Sequence, residues 1–358
     1  MKQKRAPYVL SVAVAAAIGN SVADAQMNPV ERVAVSILPI QSLVANVTQG
    51  IQPEPELLIP PTASPHGHAL RPSEARALAR ADLIVWVGEG IETPMARLLR
   101  DKPAEQVLKL VDTVNWPVTH VIREGGVWEE HLHDHGSPSH EHEHSDGHSH
   151  GHDHGDKHSH GHDHGDKHSH GHDHGDKHSH GHDHVDFDQH LWLSPLNAIA
   201  IVETVADLLA KRDPTNAERY AANRDATIER IQALDAELQA KLAPVRDRPF
   251  IVFHDAYQYF ERHYDLRPAG SITLDPTRQP GAQRIATLRD RLRADDVACV
   301  FSEPQFRPAL VQTLIEGTST RAGELDPIGA AHSAGVDAWF NTMRSLGDAF
   351  VECVATEG

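Results

Sequence analysis

The sequence predicts an α/β protein of two domains joined by a helical connector, and three observations lead to that fold class. Short β-rich apolar runs alternate with helical spacing in both halves of the chain. One long amphipathic stretch lies between the halves, and alternation on both sides of it suits two separate sheets. The first half is also interrupted by a segment of very different composition. At 358 residues the chain is long enough for about two domains with a sizeable core.

Taken in order, 32–40 (RVAVSILPI) reads as a β-rich apolar run and 56–59 as a short strand. Residues 72–80 have helical spacing, 81–87 (ADLIVWV) form a buried-strand pattern closed by Gly88, and 106–110 are a shorter strand candidate. Residues 195–211 are amphipathic. A second helix begins near Pro214, after Asp213, and carries Tyr220, Ile228, Ile231, Leu234 and Leu238 towards Lys241. Strands are then predicted at 249–254, 269–274, 298–302 and 321–326, alternating with helices at 256–263, 280–293 and 308–316. A final helix covers 336–351. The expected division is 26–194 for the first lobe, 195–243 for the connector and 244–358 for the second lobe.

The N-terminus is set apart from the fold. Lys2, Lys4 and Arg5 precede a short apolar run, 9–18, and Ala23-Asp24-Ala25 offers small residues at the cleavage positions. This is the pattern of an export signal covering 1–25. The run is too short to cross a bilayer, and no later segment approaches the necessary twenty apolar residues, so no direct membrane insertion is expected. Only Cys299 and Cys353 occur. In an oxidising compartment such a pair reads as one disulfide, the alternative being two unrelated buried thiols. A formal net charge of −18 argues against nucleic acid or an anionic membrane as partner and favours cations.

The interrupting segment is a repeat. Gly-His-Asp-His-Gly-Asp-Lys-His-Ser-His starts at Gly151, Gly161 and Gly171, and a fourth copy breaks off at His184. Residues 131–184 hold 22 of the 29 histidines, nine Asp, two Glu and three Lys. With almost no apolar residues, the segment cannot offset its own ordering entropy, so it reads as a disordered metal-binding loop. It either gathers metal ions or is a tolerated low-complexity expansion.

Seven histidines lie outside it: His66, His68, His120, His190, His254, His263 and His332. Three stand where a ligand belongs. His66 follows a strand in a loop stiffened by Pro60, Pro61 and Pro65. His190 lies where the chain regains order after the repeat, beside Trp192, which reads as core packing. His254 ends the apolar strand 250–253, at the carboxyl edge where open α/β sheets bind ligands. Neutral imidazole suits Zn²⁺, and three of them form a common zinc set. Asp188, Asp255 and Glu303 are candidates for orienting those imidazoles. Each residue alone has an ordinary structural explanation, and composition does not bring the three histidines together.

The segments Ser64–Ser73 (SPHGHALRPS), 81–88, Asp188–Pro195 (DQHLWLSP), Phe253–Phe260 (FHDAYQYF), 302–306 and 325–329 carry a resemblance. The chain resembles the periplasmic solute-binding proteins of high-affinity zinc ABC importers, the zinc-uptake members of cluster A-I, over nearly its whole mature length. A His-rich insertion between the first two ligand segments is a further hallmark of that group. The resemblance implies two pseudo-symmetric lobes joined by a rigid long helix, with the metal between them. It implies His66, His190 and His254 as ligands, and a membrane permease as partner of an expected monomer. A fourth position remains open: Pro65 stands where some members have a glutamate, leaving Asp326, water or, more weakly, His68. The resemblance also supports a Cys299–Cys353 bond. Related manganese binders have a glutamate where His254 stands, and three imidazoles favour zinc over that harder set. A zinc enzyme and a zinc buffer are the competing functions. No His-Glu-x-x-His or nucleophile elbow accompanies the histidines.

Overall fold

A computed structural model describes residues 30–123, 187–294, 296–306 and 309–355. The expected export signal, 1–25, and the repeat segment, 131–184, lie outside the described residues.

The first half builds a parallel sheet from β1 (Val33–Val35), β2 (Glu56–Leu57), β3 (Leu83–Trp86) and β4 (Val107–Lys109), in the order β2-β1-β3-β4. Helices α1 (Leu38–Thr48), α2 (Pro72–Arg80), α3 (Thr93–Leu99) and the single turn α4 (Leu110–Thr113) connect and follow these strands. The second half repeats the plan with β5 (Phe250–His254), β6 (Pro268–Thr273), β7 (Cys299–Ser302) and β8 (Arg321–Glu324), ordered β6-β5-β7-β8. Its helices are α7 (Gln258–His263), α8 (Ala282–Ala294), α9 (Ala309–Ile315) and α10 (Ala338–Val354). Each sheet places its second strand on one edge and runs outward from its first. The expected pseudo-symmetry of two α/β lobes is therefore present.

Between them run α5 (Pro195–Arg212) and α6 (Ala217–Leu242). Pro195 opens α5, where a missing N–H costs nothing, and the Ser194 hydroxyl accepts from Asn197 N at 3.3 Å. The 26 residues of α6 span about 39 Å and bury Tyr220, Ile231, Leu234, Leu238 and Leu242. One hydrophobic core runs without a break from the first sheet through these helices into the inner face of the second sheet. Strand alternation in β5 then splits that sheet: Phe250 and Val252 join the shared core, whereas Ile251 and Phe253 join a separate outer core under α8 and α9. Cys299 and Cys353 form a disulfide with Cα atoms 5.9 Å apart, tying the start of β7 to the end of α10.

The run 32–40 departs from expectation. Strand β1 stops at Val35, and Leu38, Pro39 and Ile40 already belong to α1. Every residue of α1 is buried, so it shows no polar face and no helical period. An apolar run of this kind does not distinguish a buried helix from a strand.

Candidate metal centre

The carboxyl ends of both sheets open onto one cleft of about 840 Å³, lined by His66, Gly90, Asp188, His190, His254 and Asp255 among others. Three imidazoles converge there. His66 arrives from the proline-stiffened loop after β2, and His254 is the last residue of β5. His190 follows the point where Val121 and Phe187, which flank the interrupting segment, pair as a short antiparallel bridge. One nitrogen from each of the three lies within 4.8 Å of the others. His190 Nε2 and His254 Nε2 are 3.4 Å apart. Two nitrogens bound to a tetrahedral Zn²⁺ at 2.0–2.1 Å are about 3.3 Å apart, so this pair already spans one edge of such a site.

Two carboxylates set that geometry. Asp188 Oδ1 lies 2.7 Å from His190 Nδ1 and also accepts from the His190 backbone N–H at 2.9 Å. Glu303 Oε1 lies 2.6 Å from His254 Nδ1. Each contact holds the proton on Nδ1 and leaves the Nε2 lone pair directed into the cleft. The two negative charges together match the charge of one divalent cation. Burial, with added repulsion from His190 and His254, lowers the pKa of His66 to about 2, so His66 is neutral and ready to bind. Burial also disfavours charge on His254, but the Glu303 carboxylate outweighs it and the net shift is upward.

The remaining candidates are placed differently. Asp326 does not join the cluster. Its carboxylate accepts from Gln305 Nε2 at 2.9 Å, from Ile328 N at 3.0 Å and from Ala330 N, which uses it to shape the turn after β8. His68 pairs with Glu74 at 2.9 Å. Asp255 orients no imidazole; it receives the Arg123 guanidinium, which also reaches Glu261 at 2.7 Å. Trp192 is core, as expected, with its indole N–H donated to Pro327 O at 2.8 Å. The sequence reading did not single out Arg123 or Tyr259. Tyr259 donates to Asp188 O at 2.6 Å, and His120 N donates back to its hydroxyl at 3.3 Å. Their only sequence signal was position: Arg123 sits at the margin of the repeat segment, and Tyr259 lies within a ligand motif.

Comparisons with known proteins identify the family and the fold. The family model described as zinc-uptake complex component A, periplasmic, matches residues 33–353. The high-affinity zinc uptake system protein ZnuA of Brucella suis is 40% identical over 361 residues, covering 99% of this chain and 100% of that protein. A crystal structure of ZnuA superposes with a TM-score of 0.66 at 22% identity, covering 91% of this chain and 99% of that one. The periplasmic zinc-binding protein TroA from Treponema pallidum gives 0.64 at 18% identity, covering 92% and 100%. These two structural likenesses establish the fold.

Proposed function

The chain belongs to the periplasmic zinc-uptake component A family, and on that premise we propose that His66, His190 and His254 together hold the zinc ion it carries. The protein captures Zn²⁺ in the periplasm and delivers it to the permease of an ABC importer. The 3.4 Å separation of two carboxylate-oriented Nε2 atoms carries the ligand assignment. Water completes the tetrahedron, because Asp326 is committed to the turn after β8. The lobes divide at the connector helices, and the protein works as a monomer.

Zinc affinity by chelator competition tests the assignment, using protein without 131–184 so that 22 further histidines do not mask losses. Replacing His66, His190 or His254 with Ala should weaken binding at least tenfold, about 1.4 kcal/mol. Replacing His68, His120, His263 or His332 should change it little. A triad variant with unchanged affinity removes that residue from the ligand set. Asp326→Asn separates the two forms of the fourth position: a loss as large as that of a triad variant would make Asp326 a ligand.

A further inference from the structure

We infer that Gln189 is a positioning residue for His66, and that the tripeptide Asp188-Gln189-His190 therefore sets two of the three zinc ligands while supplying one. The inference rests on the three-histidine reading above. His190 and His254 each have a carboxylate on Nδ1, but among the described residues His66 has none; it faces the backbone of Gly90, with which it lines the cleft. The orientation of that imidazole therefore depends on how firmly the turn 87–90 is held.

Two side chains hold it. Glu92 is fully buried and accepts from Val87 N at 3.2 Å and Gly88 N at 3.0 Å, fixing the near end of the turn. Gln189 fixes the far end: its Oε1 accepts from Gly90 N at 2.9 Å. The side-chain amide lies so close over the turn that a Cβ on Gly90 would come within 2.6 Å of both its Cδ and its Oε1. Only a residue without a side chain permits this approach.

The test is a double-mutant cycle on the full chain, reading zinc affinity against a chelator strong enough to keep the weaker sites of the repeat segment empty. Gln189→Leu keeps the bulk and removes the acceptor, and should weaken zinc binding about tenfold, the lower end of the range for residues that orient a metal ligand. Gln189→Glu retains an acceptor oxygen and should restore most of the loss. In a His66→Ala background, Gln189→Leu should cost nothing further, because its effect runs through that imidazole. A merely structural role would give additive losses instead, and that result overturns the inference. If His66→Ala alone leaves affinity unchanged, the ligand assignment itself fails. If His66→Ala weakens binding but Gln189→Leu does not, only the positioning role fails. Thermal melts of each variant identify any that do not fold, and Gly90→Ala, which crowds Gln189 from the other side, then supplies an independent route to the same displacement.

Discussion

The two halves share a topology but hold their ligands by different means. In the second half, His254 is the last residue of a five-residue strand, and its partner Glu303 follows β7, the neighbouring strand. A disulfide ties the start of β7 to α10, and a separate outer core backs the same sheet. In the first half, strands are two to four residues long, and His66 and His190 stand on loops. There the partner of one ligand is a near neighbour in sequence, Asp188, and that of the other is a backbone group. The comparison teaches a division of labour. The second half presents a ligand fixed by sheet geometry, and the first closes the site with ligands whose position depends on turn contacts.

The largest expected effect follows from the staple. Replacing Cys299 and Cys353 with Ser releases a 54-residue separation and should lower unfolding free energy by about 4 kcal/mol in the chain-entropy account. Urea denaturation measures the loss, and hydrogen exchange should place it in β7, β8 and α10 rather than in β1–β4. Equal deprotection of both sheets would break the proposed contrast.

Arg123 joins the halves where the interrupting segment begins. Its guanidinium serves Asp255 and Glu261, both buried, and Glu261 is pushed up to about 7 chiefly by burial, against the pull of Arg123. Arg123→Met should cost about 3 kcal/mol near neutral pH, because it leaves two carboxylates without their cation. Losing Arg123 raises the Glu261 pKa further above about 7, so over that interval the variant is protonated where the native chain is not, and the deficit should grow as pH rises above about 7 and level off below it. A deficit that is constant from pH 7 to pH 9, or absent throughout, would show that the pair does not tie the lobes together.

A smaller effect is expected from the orienting carboxylates. Glu303→Gln and Asp188→Asn should each weaken zinc binding about tenfold. They should differ in where the loss falls: Glu303→Gln relaxes a contact between two strands, whereas Asp188→Asn also removes the acceptor of a backbone N–H at His190. Equal zinc dissociation rates in the two variants would argue that the halves are interchangeable.

The smallest effect is a displacement of the acid limit. Zinc must expel any proton from its ligands. His254 holds its proton more tightly than a free imidazole, whereas His66 does not compete at all in the working range. Affinity should therefore begin to fall above the ordinary histidine value of 6.5 as pH is lowered. In Glu303→Gln the burial penalty on His254 remains without the opposing carboxylate, so the fall should start at lower pH. Zinc titrations between pH 5 and pH 8 check this, and an unshifted or upward-shifted profile would remove Glu303 as the cause.

Much of this was legible in the chain itself, because alternation, proline-opened helices and apolar runs are local properties. The helix at 72–80 and the strands around 250–254 and 299–302 needed only periodicity and composition to be placed. Helix α1 was not legible, since burial on every side erases the polar face that marks a helix. Helix α3 was also missed, being short and broken by no periodic signal longer than two turns.

By itself the sequence determined the α/β class, the cation preference, the pair of cysteines and the identity of three candidate ligands, since each follows from residue type and short-range pattern. Only the tertiary structure decided which groups meet. His66, His190 and His254 are separated by more than a hundred residues in places, and their convergence depends on two sheets presenting carboxyl edges to one cleft. The same is true of the groups around them. Asp255 and Glu303 looked equivalent as neighbours for an imidazole, yet one faces Arg123 and the other His254. Asp326 looked free to bind metal until the turn after β8 used both of its oxygens. A carboxylate's role is set by the donor that reaches it first, and that donor is chosen by packing between elements far apart in the chain.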